Sequence, residues 1–310
     1  MNKTVKSREG TIWTTLDSGL SVPSGRDLQI RDEHKESFAE IKQMAIRTRE
    51  LYSNMRISLN PASSLNQLII EVSQIADSWL KGQSEPDPMG ALLKVSNAYR
   101  ICSAIDAIRN EPGISVHLKK LGSGDLNLLS RNQSSAKDYL FELELYLVLK
   151  GKGLSPKFEE PDISISLAGE RVSVACKKIY SEKRLQDSLS RAVAQIQKSK
   201  RHGLVAINLD DLHPDQSILQ AMDSDGILDS LNSFNTEFIR RHEERFRKYM
   251  ESSRIFACLI SSSLIGDSLR GSLRINNHRQ DTLWVIPKLG SERQRLSDSL
   301  YNKINVNTRA

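Results

Sequence analysis

The sequence predicts an α/β fold preceded by an all-helical unit. Two observations carry this: amphipathic helices with a 3.6-residue period follow one another up to about residue 110, and from about residue 130 the pattern changes to helix, strand, strand, helix, strand. The expected division of the 310 residues is a polar N-terminal arm over 1–31, a helical domain over 32–120 and an α/β domain over 130–310. The stretch 110–132, punctuated by Pro112, Gly113, Gly122 and Gly124, is the expected junction.

Residues 1–31 are rich in Gly, Ser and Thr and carry no countable period. Three helices are then expected, marked by Phe38, Ile41, Ala45, Tyr52 and Met55, by Leu65, Leu68, Val72, Ala76 and Trp79, and by Met89, Leu92, Tyr99 and Cys102 after Pro88. Beyond the junction a helix is expected over about Ser134 to Lys150. Strands follow at Ile163 to Leu167 and Arg171 to Cys176, then a basic helix over about Gln186 to Lys200 and a buried strand at Leu204 to Leu209. Helices near Gln216 to Phe234 and Glu237 to Ser252, and strands near Ile255 to Ile260 and Thr282 to Ile286, complete the expectation.

Composition narrows the chemistry. No run of 18 apolar residues exists that could span a bilayer, and the opening lacks the apolar stretch of a secretion signal, so a membrane or secreted protein is not expected. The three cysteines, Cys102, Cys176 and Cys258, are odd in number and far apart, which argues against a disulfide framework or thiolate zinc and for a reducing, cytoplasmic setting. The net charge is +6, and the segment Lys177 to Arg201 alone holds eight basic and two acidic residues, an excess equal to the whole-chain value. Such a cluster is either a solvated helix face or a contact for an anionic partner.

Alternation along VSVACKK places Ser173, Ala175 and Lys177 on one face of a strand and Val172, Val174 and Cys176 on the other. Asp162 stands at the mouth of the apolar ISISL segment. Glu142 lies in a helix whose apolar positions cover most of its circumference, and Glu144 competes with it from a different face. Two acids and a lysine thus come from three consecutive elements.

The stretch FELELYLVLKGKGLSPKFEEPDISISLAGERVSVACKK, continued by SLSRAVAQIQ, resembles the PD-(D/E)xK nuclease superfamily over roughly Ser134 to Asp210. The resemblance implies a restriction-endonuclease-like core, a central mixed sheet flanked by helices. It also implies a site in which Glu142, Asp162, the triplet Ala175-Cys176-Lys177 and Gln195 serve catalysis. Asp162, Glu142 and the carbonyl of Cys176 would hold Mg²⁺, or Mn²⁺ in its place, and Lys177 would orient the attacking water. One position departs from the pattern: the second motif acid is replaced by Ala175, through an engineered change, natural degeneration, or a ligand moved to Glu159 or Glu160.

The function so implied is metal-dependent phosphodiester hydrolysis in a bacterial or phage restriction or defence system, on DNA in preference to RNA. Lys178, Lys183, Arg184, Arg191 and Lys198 would contact the nucleic-acid backbone, and the helical unit would serve a second copy or a partner protein. The alternative is a catalytically dead nuclease-fold module that binds nucleic acid or assembles with a partner. Other motifs fail on inspection: His242-Glu243 lacks the second histidine of a zinc helix, and the glycine pairs at 151–153 and 122–124 do not extend to phosphate-binding loops.

Overall fold

The computed structural model describes the backbone of residues 3–6, 12–15 and 21–25, and residues 38–83, 86–214, 217–270, 275–287 and 289–305. The expected N-terminal helices form as α1 (Phe38–Asn54), α2 (Ser64–Leu80) and α3 (Pro88–Ala107). Their starts have local causes. The Ser63 side chain accepts from the Asn66 amide, Asp87 accepts from Gly90, and Pro88 sits in the first turn, where no amide is needed.

The junction is not a loop. Residues Ile114–Leu121 form α4, with Ile114, Leu118 and Leu121 buried at i, i+4 and i+7, and Gly113 enters it at φ 84°. That apolar spacing outweighs the flanking punctuation. The α/β part follows as α5 (Ser135–Gly151), β4 (Lys157–Glu159), β5 (Asp162–Leu167), β6 (Glu170–Lys178), α6 (Leu185–Lys198) and β7 (Gly203–Asn208). The β5–β6 hairpin closes through Ala168 and Gly169, both at positive φ, so that Leu167 pairs with Glu170.

Beyond β7 the structure departs from the expected breaks. Instead of two helices, one 29-residue helix, α7, spans Ser224–Ser252. Asn235, which falls in the gap between the two expected helices, is fully buried in mid-helix: its amide donates to the carbonyls of Ile260 and Gln280, and its Oδ1 accepts from Ser262. A polar interruption thus becomes a tertiary anchor. The chain reaches α7 through a short strand, β8 (Leu219–Ala221), and continues into β9 (Ile255–Ser268), β10 (Ile275–Trp284) and α8 (Ser291–Asn305). Both long strands exceed their expected lengths because polar residues such as Ser261, Ser262 and Asp281 are buried in them.

Strands β4 to β10 form one mixed sheet in the order β10-β9-β7-β6-β5-β4, with β8 beside β9. Strands β4, β5 and β6 are antiparallel neighbours, β6, β7 and β9 run parallel, and β10 is antiparallel to β9. Burial on both faces explains why β7 reads as an unbroken apolar run. The arm over 1–31 carries three short strands, β1 (Lys3–Lys6), β2 (Ile12–Thr15) and β3 (Ser21–Gly25), and β3 pairs with β10 at Asp281 and Thr282. Pairing at a sheet edge uses backbone groups and needs no hydrophobic period.

The main apolar core runs without a break from Met44 and Tyr52 of α1 through α5 and the sheet to Leu296 and Ile304 of α8, so the helical unit and the sheet share it. A smaller cluster, including Ile41, Val72 and Val95, belongs to α1–α3 alone. No helix among the described residues is long and apolar enough to cross a membrane.

Candidate functional site

Asp162 opens β5 and Lys177 stands one residue before the end of β6. Ile163 pairs with Val174, so the next rung of this antiparallel ladder sets Asp162 opposite Ala175. Asp162 Oδ2 accepts from the Cys176 amide at 2.7 Å and lies 3.4 Å from Lys177 Nζ, which also donates to the Cys176 carbonyl at 2.7 Å. Burial pushes the Asp162 carboxyl up to about 6; Lys177 opposes the shift and the negative charge of Glu142 adds to it. Asp162 of β5 thus feels the charges of both Lys177 on β6 and Glu142 on α5.

Gln195 stands on α6, the helix that follows β6. Ser173 Oγ and Ser199 Oγ are 3.0 Å apart, which sets the Ser173 face of β6 against α6. Ala175 and Lys177 share that face by alternation. Gln195 lies one helical turn before Ser199 on α6. Its Oε1 is buried and has no hydrogen-bond partner among the described residues. Ala175 is fully buried and offers no oxygen.

Glu142 and Glu144 separate as their spacing on α5 requires. Glu144 receives a two-point contact from Arg100 of α3, at 2.5 and 2.8 Å, and a third bond from Arg279 of β10 at 3.3 Å. It belongs to a buried ion network in which Arg100 also donates to Asp210 and Arg279 grips Asp281. Burial raises the Asp210 carboxyl, but Lys178 and Arg100 outweigh it and hold the group well below the usual carboxylate range. Glu142 faces elsewhere: its Oε2 lies 3.1 Å from Nε2 of His117, on α4. His117 escapes a sequence reading because it lies in the segment assigned to the domain junction; the period of ISVHLKKL is the signal that places it on a helix.

The expected backbone contacts divide. Lys183, Arg184, Arg191 and Lys198 are exposed. Arg184, Arg191 and Lys198 recur every seven residues, close to two full turns, and so stand in one stripe about 21 Å long beside α6. Lys178 is a correction: it lies in the buried network, 2.6 Å from Asp211 Oδ2 and 2.6 Å from Asn208 Oδ1, with its side chain 5% exposed. The excess of acids after β7, Asp210 and Asp211, draws it inward, and strand position alone does not reveal that. Glu159 is engaged by Arg201 and Arg171. Elsewhere, Glu170, His202 and Glu292 bring ligand atoms within 4.8 Å of one another, and Arg295 also pairs with Glu170.

No protein-family model, no curated protein and no solved structure matches this chain.

Proposed function

We propose that the chain is a metal-dependent nuclease with a restriction-endonuclease-like core, acting on DNA, in which position 175 lacks the second acid. The observation that carries this reading is the meeting of Asp162 and Lys177 at 3.4 Å on adjacent strands, with the Cys176 amide, next to Ala175, donating to the same carboxylate. The succession α5, β4, β5, β6, α6, β7, antiparallel through β6 and then parallel, supports it as the scaffold that the resemblance implies.

The residues present fit a hard divalent cation. Asp162 is raised to about 6 by burial, with Glu142 adding to the shift, and a cation held by these carboxylates would relieve both effects. Mg²⁺ or Mn²⁺ would be held by Asp162, Glu142 and the carbonyl of Cys176, with water where an acid at 175 would bind; Mg²⁺ commonly takes one or two carboxylates and keeps several waters. When bound, it supplies a polarised phosphoryl oxygen and a more acidic water. Lys177 offsets negative charge that develops on the phosphate. Gln195, through its unpartnered Oε1, accepts from a water held near position 175. The stripe Arg184, Arg191 and Lys198 follows the phosphate backbone.

With the nuclease reading goes a role as a restriction or defence component of a bacterium or phage, whose helical unit docks a second copy or a partner. A second reading, a binding or assembly module on a nuclease fold, draws on Ala175 itself, which packs in the core with no exposure. The deciding experiment incubates the unaltered chain, Ala175→Glu, and Ala175→Glu with Lys177→Ala with plasmid DNA in Mg²⁺ or Mn²⁺, with chelator controls. Cleavage by Ala175→Glu alone is expected. Cleavage by none of the three favours the module.

A further inference from the structure

We propose that His117 is a positioning residue for Glu142, so that the helical unit supplies part of the site; this rests on the reading of Asp162 and Glu142 as a metal-holding pair. His117 is 5% exposed, and its Nε2–H donates to Glu142 Oε2 at 3.1 Å. The ring is gripped on two sides, by Phe158 of β4 at 4.2 Å between centroids and edge-on by Tyr139 of α5 at 5.2 Å. Phe158 in turn stacks on Tyr146 at 4.2 Å, which fixes that wall of the slot.

The slot is aromatic and apolar, and a phenylalanine would fill it without a polar cost. Instead it holds an imidazole whose Nδ1 is buried with no partner among the described residues. Leaving such an atom unpaired carries a desolvation cost. What the ring nitrogen returns for this is the bond to Glu142. That bond fixes one oxygen of a long, flexible side chain, and no described hydrogen bond engages the other. A carboxylate held in this way loses less rotamer freedom when it takes up a ligand. Partners that orient a ligating side chain are typically worth about 10–100-fold in metal affinity.

The test is Mn²⁺ titration of the full chain by calorimetry, with Ala175 in place and again with Ala175→Glu. Three single variants are compared with the parent: His117→Phe, which keeps the ring packing and loses the donor; His117→Gln, which keeps a donor; and Asp162→Asn. The proposal expects His117→Phe to weaken Mn²⁺ by about tenfold or more while circular dichroism is unchanged, and His117→Gln to retain most of the affinity. In a Glu142→Gln background, His117→Phe should have no further effect, because the two residues act as a unit. If His117→Phe binds Mn²⁺ like the parent while Asp162→Asn does not, the positioning role is wrong and the metal reading survives. If the parent binds no Mn²⁺, the metal reading falls and takes this role with it.

Discussion

Arg100 of α3 grips both oxygens of Glu144 on α5 and reaches Asp210 after β7 with the same guanidinium. One side chain therefore joins the helical unit to the sheet at a place where every charge is almost out of water. Its geometry suits arginine, whose planar fork matches a carboxylate.

Removing Glu144 leaves Arg100 with Asp210 alone and Arg279 with Asp281 alone. Breaking a buried ion pair by deleting one partner costs about 3–5 kcal/mol, because the charge left behind stays desolvated. Glu144→Leu is expected to lose about 3 kcal/mol or more on this basis. Urea unfolding should show a lower midpoint at an unchanged slope, the sign of lost stability in an unchanged transition.

Asp162 makes the site costly at neutral pH. Its folded value, about 6, lies above the ordinary 3.8, so between these values the folded chain binds more protons than the unfolded one. The contribution of this group is fully present below about pH 4 and is lost as pH rises through 6. The gap corresponds to about 2–3 kcal/mol. Asp162→Asn should therefore be more stable than the parent at pH 7.5 by roughly that amount, with the difference shrinking to nothing by pH 4. Comparing the two proteins across pH cancels groups with the opposite slope, such as His278, whose burial pushes it down to about 4. A difference that stays constant with pH would show that Asp162 is not raised.

The basic stripe and Lys178 should separate in DNA binding. Replacing Arg184, Arg191 and Lys198 together by alanine is expected to flatten the dependence of log affinity on log salt by about 0.9 for each phosphate that is no longer neutralised. Lys178→Met should leave that slope unchanged and instead destabilise the fold by about 3–5 kcal/mol, since Asp211 and Asn208 lose their partner inside the protein. Equal salt slopes for the triple variant and the parent would remove α6 from the DNA interface.

Much of the scaffold is legible from local pattern. Helices α1, α2, α3, α5 and α6 and strands β5, β6 and β7 stand where periodicity and caps put them. Alternation puts Lys177 at the end of a strand and Asp162 at the mouth of the strand before it; Gln195 could be named only through the family resemblance. Elsewhere a distant partner reverses a local signal. Asn235 looks like a break until β9 and β10 surround it, and Lys178 looks like surface until Asp211 pairs with it.

The sequence alone therefore determined helices α1 to α3, the run from α5 through β7 and the basic helix, since these depend on neighbours within a few residues. Tertiary structure alone decided which acid belongs to which group. Glu142 and Glu144 are alike in sequence and two residues apart, yet α4 offers His117 to one while α3 and β10 offer arginines to the other. The reason is desolvation: a carboxylate taken out of water takes its character from the nearest donor, and which donor is nearest depends on contacts made across the whole chain.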